Sequence, residues 1–448
     1  MVCRLRSIRG SRNCVCGADP RWRRRLPYRR PGRARRARVP LWRQGPAVAL
    51  PDPGRHPRGG SGVRLARRLA ALAARFERRD AILFVGLAGL ITASLVALAF
   101  LGEPLSAGLS SQVLRQSIFV ALGGAAYLAM SRLSYRVWWS LSWTTYALAI
   151  ILLLAVLLFG VERGGSQRWF LLGEIQFQPS EFAKIALIVT LARFYTRSPL
   201  ALTTLRGHLL AGLITLPLAL LVLRQPDFGS AMLLLCIWQG IALAAGVAWR
   251  RLVIPPLVTL ALSPLIWLTL QPYMRERILS FFDPGFDPLG SGYNVLQARI
   301  AIGSGGLWGR GFSESSQTVL EFLRVRETDF IFAVIAEQAG LIGATALLAM
   351  FGLVILYCLM ASLSAQDSFG GLIAAGVMLI FVFQVVINVG MNAGVVPVTG
   401  LTLPLVSAGG SSVLALLAGL GLVTSVSHYR EPSYVQSRKR PAIGDVGE

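Results

Sequence analysis

Lysine is nearly absent from this 448-residue chain: of its 45 basic residues only Lys184 and Lys439 are lysines, and the rest are arginines. Histidine occurs three times, as His56, His208 and His428. None of the three falls in a segment assigned to the outer side of a membrane, so a Ser-His-Asp relay has no imidazole to use there. Cysteine occurs five times, with Cys3, Cys14 and Cys16 near the start and Cys236 and Cys358 inside apolar runs. A lone C-x-C without a partner pair does not make a zinc centre, and nothing in the spacing argues for a disulfide framework. Charge is scarce as well. Only 15% of residues are charged while 54% are hydrophobic, against about a quarter charged in soluble globular proteins. That balance excludes a soluble enzyme and a disordered regulator, and it points to a polytopic membrane protein.

The net charge of +24 would by itself invite a nucleic-acid partner. Its distribution removes that reading. Residues 1–80 hold 23 of the 45 basic and 4 of the 21 acidic residues, a net of +19; the remaining 22 and 17 leave residues 81–448 at +5. Residues 1–62 show no apolar periodicity and are rich in Arg, Pro and Gly, a composition that cannot offset the entropy of ordering. They read as a basic extension without a packed core, either a polybasic arm for anionic lipid or nucleic acid, or sequence translated ahead of the protein proper. No apolar h-region lies in the first 60 residues, so no cleaved signal peptide is expected. Residues 63–80 form a basic amphipathic pattern suited to the inner membrane surface, and residues 431–448 read as a cytoplasmic tail.

A helix needs about 20 apolar residues to cross the hydrocarbon core. Candidate spans are 81–101, 115–130, 138–160, 180–195, 208–223, 229–248, 252–271, 331–358, 370–390 and 407–427. The expectation is therefore an all-α membrane domain over 81–430 with ten transmembrane helices, and a large outer loop, 272–330, between the seventh and eighth. Arg132, Arg136, Arg193, Arg197, Arg206, Arg250 and Arg251 occupy alternate short loops, which places both termini in the cytoplasm. The inner loop 361–369 has no basic residue and is placed by parity alone.

Several constellations could carry chemistry. Gln178-Pro179-Ser180-Glu181 opens the fourth span, with Lys184 three residues after Glu181 on the same helical face. Ionisable residues at membrane depth are functional candidates by default, though a structural ion pair between helices is an equal reading. Arg168-Trp169 suits an interfacial anchor or a ligand contact. In Arg224-Gln-Pro226-Asp227, the aspartate is placed to cap the sixth span. Thr328-Asp329 begins another membrane-proximal helix, with Glu337 deeper in it.

The long loop presents Arg275 and Arg277, then Asp283-Pro and Asp287-Pro steps whose prolines hold each carboxylate at a turn. Both aspartates could simply cap turns. Arg299 and a Gly-rich run, Gly303-Ser-Gly305-Gly306-Leu-Trp308-Gly309-Arg310-Gly311, follow. Such a run can bring backbone amides to a phosphate, or merely join two short helices. It lacks the Walker Lys-Ser/Thr and a preceding Rossmann strand, which argues against nucleotide. Asn388-Val-Gly390-Met391-Asn392 leads into a Pro- and Gly-rich stretch, 397–412, where irregular backbone must line a cavity or be buried in protein.

With these segments in order, the chain from about 81 to 430 resembles the RodA/FtsW (SEDS) family of bacterial shape, elongation, division and sporulation proteins. The resemblance rests on Arg168-Trp169 with QPSEFAK (178–184), RQPDFGS (224–230), DPLGSGY (287–293), QARIAIGSGGLWGRG (297–311), TDFIFAVIAEQAGLIG (328–343), NVGM (388–391) and PVTGLTLPLVSAGGSS (397–412). The 300–311 run and NVGM are more like RodA members, whereas Gly-Leu-Thr-Leu-Pro (400–404) is more like FtsW members. Two positions depart from the family pattern: Arg324-Val325 stands where Pro-Glu is usual, and Ala408 where Tyr is usual.

The resemblance implies a peptidoglycan glycosyltransferase in the bacterial cytoplasmic membrane. Such an enzyme polymerises lipid II at the outer face for elongation and rod shape, with a class B penicillin-binding protein and the elongation machinery as partners and no nucleic acid. It also implies that the essential loop aspartate is Asp287, as general base or as ligand of a divalent cation (Mg or Mn). Substrate contacts are expected from Glu181, Lys184, Arg168, Arg275, Arg277, Arg299, Arg310 and Ser411. The arginines suit a leaving pyrophosphate. A lipid II flippase, which would depend on the intramembrane charges Glu181, Lys184 and Glu337 in place of Asp287, and an FtsW-type division role are the alternatives.

Overall fold

The computed structural model describes residues 78–101, 111–163, 166–172, 175–283, 291–311 and 327–429. The expected extension 1–62, most of the amphipathic segment 63–80, the tail 431–448, Asp287 and the Arg324-Val325 departure all lie outside the described residues. In chain order the elements are α1 (Arg78–Leu101), α2 (Ser111–Arg132), α3 (Val137–Phe159), β1 (Val161–Arg163), β2 (Ser166–Leu172), β3 (Ile175–Phe177), α4 (Pro179–Arg197), α5 (Pro199–Thr203), α6 (Leu205–Arg224) and α7 (Phe228–Ala244). Then follow α8 (Trp249–Leu252), α9 (Ile254–Ala261), α10 (Ser263–Thr269), α11 (Pro272–Phe282), α12 (Ser291–Ser304), α13 (Ile331–Leu363), α14 (Ser368–Asn392) and α15 (Gly410–His428).

Seven of these, α1, α2, α3, α6, α13, α14 and α15, are long and apolar enough to cross a membrane. The ten continuous spans read from the sequence are not reached by this measure. Helix α4 has the length but carries Glu181, Lys184, Arg193 and Arg197, and α7 has 17 residues. The expected span 252–271 is divided into α8, α9 and α10. Pro255, Pro256 and Pro264 lack the amide that would continue a helix, so each restarts one. Two expected loops carry structure of their own. The segment after α3 folds into a three-stranded antiparallel sheet, β1-β2-β3. The stretch 272–330 holds α11 and α12.

Helix α15 is the hub. It packs on α2, α14, α13 and α4, and it is apolar on all sides, as a helix surrounded by others must be. At the end carrying the basic loops, His428 Nε2 lies 2.8 Å from Asp80 Oδ2, and the Tyr357 hydroxyl donates to Asp80 Oδ1. First and last helices are thus clasped there. The opposite end carries the irregular segments and the site.

Candidate active site

Helix α4 begins abruptly because Pro179 occupies its first turn, where a missing amide costs nothing. Glu181 follows in that turn, and Lys184 Nζ lies 2.6 Å from Glu181 Oε1. Both side chains are buried, at 6% and 1% exposure. Ser411, at the start of α15, pins the sheet to this corner. Its Oγ accepts from the Gln178 backbone amide at 3.0 Å and donates to the Gln176 carbonyl at 2.9 Å.

A charged rim lies just beyond the start of α4. Arg168 on β2 reaches Asp227, with Nη1 to Oδ2 at 3.6 Å, and Gln178 Nε2 donates to the same oxygen at 3.3 Å. Asp227 also caps α7 by accepting from the Ser230 amide at 3.1 Å. Arg277 of α11 donates to the Val398 carbonyl at 3.4 Å. Gly400 lies beside the tips of both Arg277 and Asp329: a Cβ built there would lie 3.8 Å from each. Desolvation pushes the Asp329 carboxyl above the ordinary aspartate range. The Thr328 hydrogen bond and the charges of Arg277 and Arg168 oppose that rise, and Asp227 adds to it.

The irregular stretch between α14 and α15 is held by side chains that replace helix hydrogen bonds. Asn388 Nδ2 donates to the carbonyls of Asp329 (3.0 Å) and Leu401 (2.8 Å). Asn392 Nδ2 donates to Asp329 at 3.1 Å, while its Oδ1 accepts from the Ala333 amide. Ser407 Oγ takes the Leu403 amide and donates to the Thr328 carbonyl. The Asp329 carbonyl is therefore held by two asparagines one turn apart on α14.

The Gly-rich run does not offer its amides to an anion at the positions where their partners are defined. Helix α13 breaks at Gly340 (φ 66°, ψ −165°), and the run is stitched to that break. The amides of Arg310 and Gly311 donate to Glu337 and Gln338, and those of Leu341 and Ile342 donate to Gly306 and Leu307. Only glycine permits this approach, since a Cβ at 309 would sit 2.1 Å from the Gln338 carbonyl oxygen.

The structure therefore sorts the candidates. Arg168, Arg277, Glu181, Lys184 and Ser411 gather at one corner. Arg299 lies apart from the ion pairs but shares a small cleft with Arg277, Ser280, Phe281 and Val398. Arg275 turns away to the Leu268 carbonyl, and the exposed Arg310 side chain folds onto its own turn at Ser304. Neither joins the rim through a described contact. Among the described residues no group of three or more His, Cys, Asp or Glu side chains forms a metal site. Sequence reading underweighted Asp227, Asp329, Asn388 and Asn392. The i, i+4 spacing of the two asparagines in an apolar helix was the available signal.

Fold and site together define an integral membrane protein of many helices. Its buried ion pair and arginine rim face the end opposite the basic loops. The chain belongs to the FtsW/RodA/SpoVE family of cell cycle proteins, whose model matches residues 80–432. It is similar to the peptidoglycan glycosyltransferase MrdB of Escherichia coli K12, with 41% identity over 313 residues covering 70% of this chain and 84% of that protein. Among solved structures it is similar to a chain of a peptidoglycan synthase complex that coordinates polymerization and crosslinking. The TM-score is 0.68, with 35% identity and coverage of 78% of this chain and 98% of that one. The Thermus thermophilus rod shape determining protein RodA is similar at a TM-score of 0.58 and 32% identity, covering 78% and 97%.

Proposed function

We propose that this chain is a peptidoglycan glycosyltransferase of the elongation type. It polymerises lipid II at the outer face of the cytoplasmic membrane and releases undecaprenyl pyrophosphate. A class B penicillin-binding protein is its partner, and both termini are cytoplasmic. The observation that carries this reading is the gathering of the Arg168–Asp227 pair, Arg277 and Asp329 in one rim, within electrostatic reach of one another, beside the helix start that holds the buried Glu181–Lys184 pair. They gather in a chain 41% identical to a named peptidoglycan glycosyltransferase.

The chemistry asks for two things. The acceptor hydroxyl must lose its proton as it attacks the anomeric carbon, and a positioned carboxylate can take it. The leaving pyrophosphate must be met by fixed cations in a dry site. Asp287 is assigned the first task. Its segment joins α11 to α12, whose described ends, Phe281 and Gly292, border the Arg277–Arg299 cleft. Arg168, Arg277 and Arg299 are assigned the second. A divalent cation held by Asp287 would share that load.

Polymerisation of purified lipid II by the purified protein with its penicillin-binding partner tests this. Wild type should yield glycan strands and Asp287→Ala none, with folding and partner binding retained. Continued synthesis by the variant would sink the assignment. Loss of activity in chelator, restored by Mg or Mn, would assign Asp287 to a cation. The buried Glu181, Lys184 and Glu337 favour a flippase as the second reading. A flippase would tolerate the Asp287 change.

A further inference from the structure

Four buried polar atoms near the start of α4 have no hydrogen-bond partner: Glu181 Oε2, Gln384 Nε2, Gln384 Oε1 and Ser412 Oγ. Their residues are between 0% and 8% exposed. Orphaned groups are rare in folded proteins, and each forfeits its full desolvation penalty. Packing contacts show that they belong together. Deeper in the bundle, a Cβ on Gly419 of α15 would touch Ile185 of α4 and Val377 of α14, and one on Gly376 of α14 would touch Ile188 of α4. The stripes of α4, α14 and α15 through these positions therefore face one another. Seven residues along a helix is two turns and returns to the same face.

Counting outward by seven gives Glu181 from Ile188, Gln384 from Val377 and Ser412 from Gly419. Helix α4 and α15 run in the same direction and α14 runs against them, so Gln384 and Ser412 reach one level with Gln178, and Glu181 lies within one helical turn of it. The Gln178–Ser411 hydrogen bond confirms that register independently. Helices α4 and α15 both start at this level, which leaves the cluster next to the irregular 397–409 segment and not in mid-bundle.

We propose that Glu181, Gln384 and Ser412 form a subsite for the sugar portion of the lipid-linked substrate, distinct from the arginine rim that meets its phosphates. The proposal rests on the glycosyltransferase reading above. Chemistry selects the ligand class. Lys184 offsets the charge of Glu181, so the cluster has no net cationic pull, and an anion placed here would meet the free carboxylate oxygen. The unpaired set combines amide and hydroxyl donors with carbonyl and carboxylate acceptors. A neutral group rich in hydroxyls, or an acetamido group, satisfies both kinds at once.

The test compares binding of lipid II and of undecaprenyl pyrophosphate, which lacks the sugars, to the detergent-purified full chain and its Gln384→Leu and Ser412→Ala variants. Gln384→Leu should weaken lipid II by about tenfold or more and leave undecaprenyl pyrophosphate unchanged. Its Tm should hold or rise, because an unpaired buried amide is removed. Ser412→Ala should show the same selectivity more weakly, and it decides the matter if Gln384→Leu does not fold. Equal loss of both ligands, or loss of neither, overturns the proposal. Wild-type protein that fails to bind or polymerise lipid II overturns the glycosyltransferase reading instead.

Discussion

Lys184 Nζ sits 2.6 Å from Glu181 Oε1 in a pocket that excludes solvent from both. In a chain that uses arginine for nearly every other cation, this lysine is only 1% exposed. Removing one partner leaves a buried charge uncompensated, at about 3–5 kcal/mol, whereas removing both is far less damaging. Lys184→Met and Glu181→Gln should therefore each lower Tm sharply, and the double variant should recover most of the loss. Additive losses in that double-mutant cycle would mean that the two do not act as a pair.

Close approach of two backbones at the α13 break gives a second expectation. Gly309→Ala puts a methyl 2.1 Å from the Gln338 carbonyl oxygen at a φ of +84°, and no flexible side chain is there to yield. The cost should be roughly 2–4 kcal/mol from overlap and backbone strain combined. Gly303→Ala in the same run meets nothing within 4 Å. Its Tm should be nearly unchanged, and equal effects of the two variants would refute the stitching.

Asn388 is a positioning residue. Its single amide group holds the Asp329 and Leu401 carbonyls together. Asn388→Leu strips that donor from the Leu401 carbonyl, at about 1–3 kcal/mol, and leaves the Asp329 carbonyl with Asn392 alone. The expected signature is a fall in kcat larger than the change in KM for lipid II, because the Asp329 backbone shifts while the arginines remain. A pure KM effect would contradict it.

The Asp329 carboxyl titrates above its unfolded-state value because burial outweighs the help of Thr328, Arg277 and Arg168. A raised pKa means that the folded state holds the proton more tightly. The associated stability is complete below about pH 4 and is lost as pH climbs through the folded pKa. Asp329→Asn cannot lose that proton. Its Tm relative to wild type should increase from about pH 4 towards neutrality, and a flat or falling difference would show that Asp329 is not desolvated.

The sequence by itself determined the class of fold. Long apolar runs must be helices in lipid, because no other open structure satisfies the backbone there, and Pro179 together with Glu181 and Lys184 marked the start of α4. It also marked the 397–412 stretch as broken backbone, because its prolines and clustered glycines weaken a helix; the irregular part runs to Gly409, and α15 starts at Gly410. What it could not decide was pairing across helices. Asp227 joined Arg168, and Asn388 joined Asp329, through contacts 59 residues apart. In the sequence Gln384 is one polar residue in an apolar run, and only α4 and α15 supply its level.

The Gly-rich run shows the limit most plainly. Its glycines are equally suited to a phosphate and to another backbone, and only the break at Gly340 assigned them to the backbone. Arg275 and Arg310 are likewise indistinguishable from Arg277 in sequence, yet they point elsewhere. Helix formation is a local, periodic property and can be read along the chain. Which side chains converge depends on the depth and rotation of each helix against its neighbours, and only close packing in three dimensions fixes those.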